Sequence, residues 1–297
     1  MMVLLTLGLG PAGSPLGRTS VAAQGSALAC APPAAPGTPA AAASPTGGTV
    51  AASPVAFPAD AGELTVFAAA SLTDAFEQIA TDLQAANAGL TITYNFAGSQ
   101  ALATQLQEGA EADVFASANA VQMAAAVANG SIAGAPAPFV RNRLAIVVPT
   151  DNPAGIAAPE DLAQEGLRLV LAQAEVPVGR YARESLCAMG ADPATYGEGF
   201  VAGVGANIVS AEEDVRDVLA KVELGEADAG IVYVSDAASA QDRVGLVEIP
   251  AAVNAVATYP IAAVADGDAA LAAAYIAYLL GPDGQATLRD FGFEPIS

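Results

Sequence analysis

Histidine and tryptophan are absent from the 297 residues, lysine occurs once, at Lys221, and cysteine only at Cys30 and Cys187. Without histidine, a Ser-His-Asp triad, a histidine general base and a Cys/His zinc site are excluded by inventory. Carboxylate chemistry, or a metal held by oxygens, is not excluded. The 10 basic residues face 31 acidic ones, for a net charge of −21. No Lys/Arg cluster is available to neutralise phosphates, which argues against nucleic acid as a partner. Acidity of this degree favours solubility, and any anionic ligand must be won by local donors against a repulsive field. The apolar run over 1–10 is too short to cross a bilayer as a helix, and the 54% hydrophobic content is inflated by alanine.

Residues 1–10 resemble the apolar core of an export signal, although no positive residue precedes them. Ala27-Leu28-Ala29-Cys30 places a small residue before cysteine, as a bacterial lipoprotein processing site requires. Residues 31–62 are almost entirely Ala, Pro, Gly, Ser and Thr, a linker composition that suits a tether behind a lipidated Cys30. The expected organisation is a signal over 1–30, a disordered linker over 31–62, then the folded part. A secretory signal cleaved near Ala29 is the second reading, and a cytoplasmic chain with a disordered tail the third. On the lipoprotein reading Cys187 is left unpaired, as a small buried apolar residue.

The folded part is organised around Val66 to Leu72. A short apolar strand, Glu63 to Phe67, runs through three alanines into Ser71. Leu72, Phe76, Ile79 and Leu83 then mark one face of a helix. Ser71 stands where an N-cap belongs, with Asp74 at capping-box spacing. A strand that feeds a helix through small residues exposes backbone N–H groups, and these with the helix dipole favour an anion. The unit recurs: a strand over Leu90 to Phe96, then Ala97, Gly98, Ser99 and a helix. By itself each serine reads first as a plain helix cap.

Strands and helices continue to alternate. Strands are expected at Ala112–Ala116, Arg143–Pro149, Leu167–Ala172, Asp228–Val234, Val244–Ile249 and Tyr259–Ala265. A turn is expected at Pro136 and Pro138, and a helix capped by Ser210 with Glu213 three residues on. The glycine-interrupted run Val201–Val209 reads as a strand. The alternation predicts an α/β fold with mostly parallel sheets, which bind ligands beyond the carboxyl ends of their strands.

Seven segments then occur in order: V-F-A-A-A-S-L-T-D-A-F at 66–76, F-A-G-S-Q-A-L-A at 96–103, A-D-V-F-A-S-A at 112–118, V-P-V-G-R-Y-A at 176–182, A-E-E-D-V-R at 211–216, G-I-V-Y-V-S-D-A at 230–237 and the tail from Tyr278 to Phe293. Their ordered combination resembles the molybdate-binding proteins of bacterial ABC importers, over about residues 63 to 297. The resemblance implies a two-lobed periplasmic-binding-protein fold of type II, with the ligand in the interlobe cleft. Lobe one would comprise 63–142 plus 256–297, and lobe two 143–255. It further implies a non-enzymatic, extracytoplasmic and monomeric receptor, in the periplasm or at the cell surface. Such a receptor carries molybdate or tungstate, with no cofactor, to an ABC permease. Sulfate or another tetrahedral oxyanion is the alternative.

Matched by motif, the ligand contacts implied are the hydroxyls of Ser71 and Ser99, the backbone amides of Val178 and Val215, and Tyr233. Valine at 178 departs from the alanine common in the family. The cleft is expected to offer donors and no carboxylate acceptor. That arrangement disfavours partly protonated phosphate relative to acceptor-only dianions.

Overall fold

A computed structural model describes residues 28–30, 57–58 and 62–296. Apart from those residues, the expected signal over 1–30 and linker over 31–62 lie outside the described part. In chain order the elements are β1 (Glu63–Ala69), α1 (Thr73–Ala86), β2 (Thr91–Ala97), α2 (Ser99–Gln107), β3 (Val114–Ala116), α3 (Ala120–Ala128) and the long β4 (Ile132–Pro149). There follow β5 (Leu169–Ala172), α4 (Pro177–Gly190), α5 (Pro193–Tyr196), α6 (Phe200–Asn207), β6 (Ile208–Glu212), α7 (Val215–Glu223), β7 (Ala229–Tyr233) and α8 (Val234–Ser239). The chain ends with β8 (Val244–Glu248), β9 (Val256–Val264), α9 (Ala269–Leu280), α10 (Pro282–Asp290) and β10 (Glu294–Pro295).

One strand order is built twice. In lobe one it is β2-β1-β3-β9-β4, with β1 parallel to β2 and β3 and β9 antiparallel to β3. In lobe two it is β6-β5-β7-β4-β8, with β5 parallel to β6 and β7 and β4 antiparallel to both β7 and β8. Strand β4 serves both lobes: it pairs with β9 from Ile132 to Arg143, then with β7 and β8 from Leu144 to Pro149. Each sheet is therefore parallel only over the three strands at one end, β2-β1-β3 and β6-β5-β7. The strands that carry the chain between lobes run against their neighbours.

Local sequence accounts for most elements. The central strand β5 reads Leu-Val-Leu-Ala and is buried throughout, the pattern of a parallel strand covered on both faces. On α7 the buried residues are Val215, Val218, Leu219 and Val222, one helical stripe. Burying each such side chain contributes about 1.5–3 kcal/mol.

Several expectations need correction. Pro136 and Pro138 do not make a turn; they lie within β4, where the register to β9 shifts between Ala133 and Ala137 and again between Pro138 and Val140. Proline has no N–H to give a ladder, so it settles where the ladder is interrupted. The run Val201–Val209 is mostly helix α6, not strand. Its Gly203 is there for close packing, since a Cβ would stand 2.9 Å from the Ala163 carbonyl oxygen. Ser210 belongs to β6, and the cap of α7 is Asp214, whose side chain accepts from Arg216 N and Asp217 N.

The lipidation expected at Cys30 is also overturned. Cys30 is disulfide-bonded to Cys187 on α4, with Cα atoms 5.4 Å apart. The sulfur that a lipid thioether needs is already committed, and Cys187 is not an unpaired apolar filler. A separation of 157 residues leaves no local signal of the pairing.

Candidate oxyanion site

The two lobes meet at the carboxyl ends of their central strands. Strand β1 runs into a single 3-10 turn, Ala70–Leu72, before α1 begins. Ser71 sits in that turn and makes no cap bond, contrary to the expectation; Thr73 Oγ1 donates back to Ala70 O instead. Strand β2 gives way to α2 with Ser99 as its first residue. From lobe two, Val178 is the second residue of α4 and Val215 the first of α7, while Tyr233 ends β7. All five line one small cavity, and each is at most 3% exposed. For the centre of a water-sized sphere the cavity volume is about 10 Å³, which suits one compact ion and no organic chain.

Hydrogen bonds around the cavity leave its hydroxyl protons facing inward. Asn142 Nδ2 donates to Ser235 Oγ at 2.8 Å and reaches Tyr259 Oη at 3.4 Å. Tyr259 Oη lies 2.9 Å from Ser71 Oγ. With Tyr259 accepting from Asn142 and donating to Ser71, the Ser71 proton is left for the cavity. Ser99 Oγ accepts from Ala118 N at 3.0 Å, so its proton is likewise free. Tyr233 Oη is buried with no hydrogen-bond partner among the described residues. Burial, reinforced by neighbouring tyrosines, holds that phenol far above its ordinary range, so it is a neutral donor.

Backbone donors complete the set. The N–H groups of Val178 and Val215 find no acceptor among the described residues, because both lie in first helical turns. The positive ends of their helices face the cavity with them. An unmet buried donor costs about 1–3 kcal/mol, a cost that a ligand with acceptor oxygens removes. Asp214 also lines the cavity, contrary to the expectation of no carboxylate there, but its Oδ1 is taken by two α7 amides at 2.7 and 3.1 Å.

Behind the cavity lies an ionic cluster that motif reading missed. Arg216 Nη2 is 2.5 Å from Asp74 Oδ2 across the lobes, and Arg216 Nε is 2.9 Å from Asp236 Oδ1. The second contact lies off the N–H direction and is an ion pair without a hydrogen bond. Burial pushes the Asp236 carboxyl up to about 6 although Arg216 opposes it. Burial would raise Asp74 too, but the hydrogen bond and charge of Arg216 together bring it below its ordinary value. Arg216 and Asp236 fall inside recognised segments, where only the backbone and tyrosine neighbours drew notice. Tyr259 and Asn142 carry no local signal. Arg180, near Val178 on α4, pairs with Glu184 on the open surface, each about half exposed.

Donors waiting for acceptors, set on two lobes joined by crossover strands, are the architecture of a two-lobed periplasmic-type solute-binding protein. Comparison with known proteins agrees at the level of sequence. Residues 64–294 match the family described as bacterial extracellular solute-binding protein, and the chain belongs to that family. It is 41% identical over 244 residues to the molybdate-binding protein ModA of Mycobacterium tuberculosis, covering 82% of this chain and 88% of that one. To ModA of Escherichia coli it is 34% identical over 242 residues, covering 79% and 90%. Among solved structures, the periplasmic molybdate-binding protein of Azotobacter vinelandii superposes with a TM-score of 0.68 at 18% identity, over 79% of this chain and 100% of that one. The sulfate-binding protein SubI of M. tuberculosis superposes with a TM-score of 0.70, also at 18% identity, over 80% and 88%. At such identity these likenesses speak for the fold alone.

Proposed function

We propose that the protein captures molybdate, and tungstate with it, outside the cytoplasm and delivers it as a monomer to an ABC permease. The observation that carries the reading is the partnerless Tyr233 hydroxyl, buried in a cavity whose other donors, from Ser71, Ser99, Val178 and Val215, are also free. A tetrahedral dianion with four acceptor oxygens satisfies all five without supplying a donor of its own. Charge-assisted bonds of this kind contribute about 1.5–3 kcal/mol each. After the losses of association and lobe closure, sub-micromolar affinity, roughly −8 kcal/mol or beyond, is within reach.

The chemistry of the lining supports the choice among anions. Protonated phosphate brings an O–H that wants an acceptor, and the Asp214 oxygen nearest in role is already engaged as a cap. Sulfate is acceptor-only and differs from molybdate in size. Molybdate is preferred here because the curated relatives at 41% and 34% identity are named for it. The site binds and has no further role in this reading: the group held is cargo, not cofactor, and no reaction is assigned to the chain. Location outside the cytoplasm is supported by the Cys30–Cys187 disulfide, since such bonds persist in oxidising compartments. Among the described residues no helix is long and apolar enough to cross a membrane.

Isothermal titration with molybdate, tungstate, sulfate and phosphate tests the reading. Sub-micromolar binding of the first two is expected, with phosphate roughly 5- to 150-fold weaker because its O–H finds no acceptor and sulfate weaker through the poorer fit of its smaller size. Absence of heat with both molybdate and tungstate would sink it.

A further inference from the structure

Contacts that join the lobes at the cleft rim are few and specific. Gln100 Nε2 on α2 donates to Glu213 O before α7 at 2.9 Å, and Gln122 Nε2 on α3 donates to Glu175 O before α4 at 3.1 Å. The third is the ion pair of Asp74 on α1 with Arg216 on α7. A Cβ added to Gly98 would stand 2.6 Å from Glu213 O, so the lobes touch there backbone to backbone. Lobe separation breaks every one of these contacts and leaves the internal sheets intact.

We propose that the Asp74–Arg216 pair is an interlobe latch that forms when the cleft shuts and sets how fast the bound oxyanion is released. The inference rests on the oxyanion reading of the cleft and goes beyond it in assigning the release step. Each partner is provided for within its own lobe. Asp74 lies in the first turn of α1, where the helix dipole favours a carboxylate in the open form. Arg216 keeps Asp236, which is buried beneath Tyr233 on the same lobe. Their mutual contact is therefore an addition made at closure. Its position couples it to the ligand: Arg216 follows the Val215 amide, Asp74 follows Ser71 by three residues, and Asp236 follows Tyr233 by three. An anion that draws these three site groups together draws the latch together with them. Partial burial strengthens the pair, whose side chains are 25% and 35% exposed, because water screens it less than a surface pair.

Asp74→Asn and Gly98→Ala separate the latch from the fold. Gly98 has φ −58° and ψ 135°, which alanine also adopts; the added methyl meets the flexible end of Gln100 on its own lobe, which can swing aside once its bond to Glu213 O opens, and the Glu213 backbone oxygen across the cleft, which cannot. Molybdate affinity is read by titration, and its association and release by stopped-flow tyrosine fluorescence. For Asp74→Asn, release about fivefold faster is expected, as the loss of one partly exposed ion pair implies, with association within about twofold because the pair forms after encounter. For Gly98→Ala a larger loss, about tenfold or more, follows from a clash with backbone. Melting temperatures without molybdate should match the wild type for both. Wild-type release rates in Asp74→Asn, or an equal destabilisation of the ligand-free protein, overturn the latch. A wild type that binds no molybdate fails differently: it removes the oxyanion reading first, and the latch with it.

Discussion

Ser71 Oγ lies 2.9 Å from Tyr259 Oη, joining the first helix turn of lobe one to the crossover strand β9. Tyr259 is fully buried, and the Asn142 amide of β4 reaches its oxygen at 3.4 Å. The two crossover strands thus decide which way a site hydroxyl points its proton. Tyr259→Phe is expected to weaken molybdate binding about three- to tenfold, the worth of one neutral hydrogen bond, by letting Ser71 turn away. Titration of that variant checks it; unchanged affinity would show that Ser71 is oriented by something else.

Ser71→Ala and Ser99→Ala should each cost roughly 1–3 kcal/mol of molybdate binding, about 5- to 150-fold in dissociation constant. Circular dichroism should show the native fold in both. A variant that binds as the wild type does removes its serine from the site.

Tyr233→Phe separates binding from stability. Without ligand the Tyr233 hydroxyl is buried and unmet among the described residues, so its removal should leave the melting temperature of the free protein unchanged or raised. Molybdate affinity should fall about 10-fold or more, because a donor meant for the anion is gone. Calorimetry of the free and loaded forms reads both effects. A variant less stable when free and unimpaired in binding would contradict the assignment.

Stability should depend on pH through Asp236. Its carboxyl ionises at 3.8 ordinarily and at about 6 in the folded state, so between those values the folded protein holds more protons than the unfolded one. Stability from this group therefore falls as pH rises from about 4 to 6 and is level above that. Asp74 acts oppositely in the closed, molybdate-loaded form: its value is lowered there by Arg216, so its contribution to the loaded protein is present above 3.8 and lost on acidification through the lower value. Melting curves of wild type and Asp236→Asn from pH 4 to 7 should converge at the acid end. The wild type should fall behind as pH rises, and a constant gap would refute the Asp236 contribution.

Non-reducing peptide mapping should recover the peptides of Cys30 and Cys187 as one cross-linked species that reductant splits. Cys30→Ser should leave molybdate binding within about twofold, since Cys187 lies nine residues beyond Val178 on α4, about 13 Å along a helix. A diacylated Cys30 would contradict the pairing.

How far the sequence reached differs from element to element. Strands β1, β5 and β7 and helices α1 and α7 were legible because their apolar residues follow the period of the element that buries them. The turn at Pro136 and Pro138 was misplaced because a strand with interrupted pairing and a turn share the same residues. Helix α6 was misread because Gly203 packs against Ala163, a contact with no mark in the local pattern. Ser71 reads as a cap by spacing, yet its oxygen is committed to Tyr259, 188 residues away.

Sequence alone determined what could not occur and where donors would lie. The missing histidine removed the usual catalysts and zinc ligands, and the strand-to-helix junctions at Ser71 and Ser99 placed free amides and hydroxyls beside helix dipoles. These are local consequences of residue type and spacing. Tertiary structure decided how those donors combine: which proton each hydroxyl points inward, that Tyr233 is left without a partner, that Arg216 bridges Asp74 and Asp236, and that Cys30 is bound to Cys187. Each depends on groups far apart in the chain meeting within hydrogen-bond or covalent reach. Such meetings follow from packing of the whole fold, and no local periodicity encodes them.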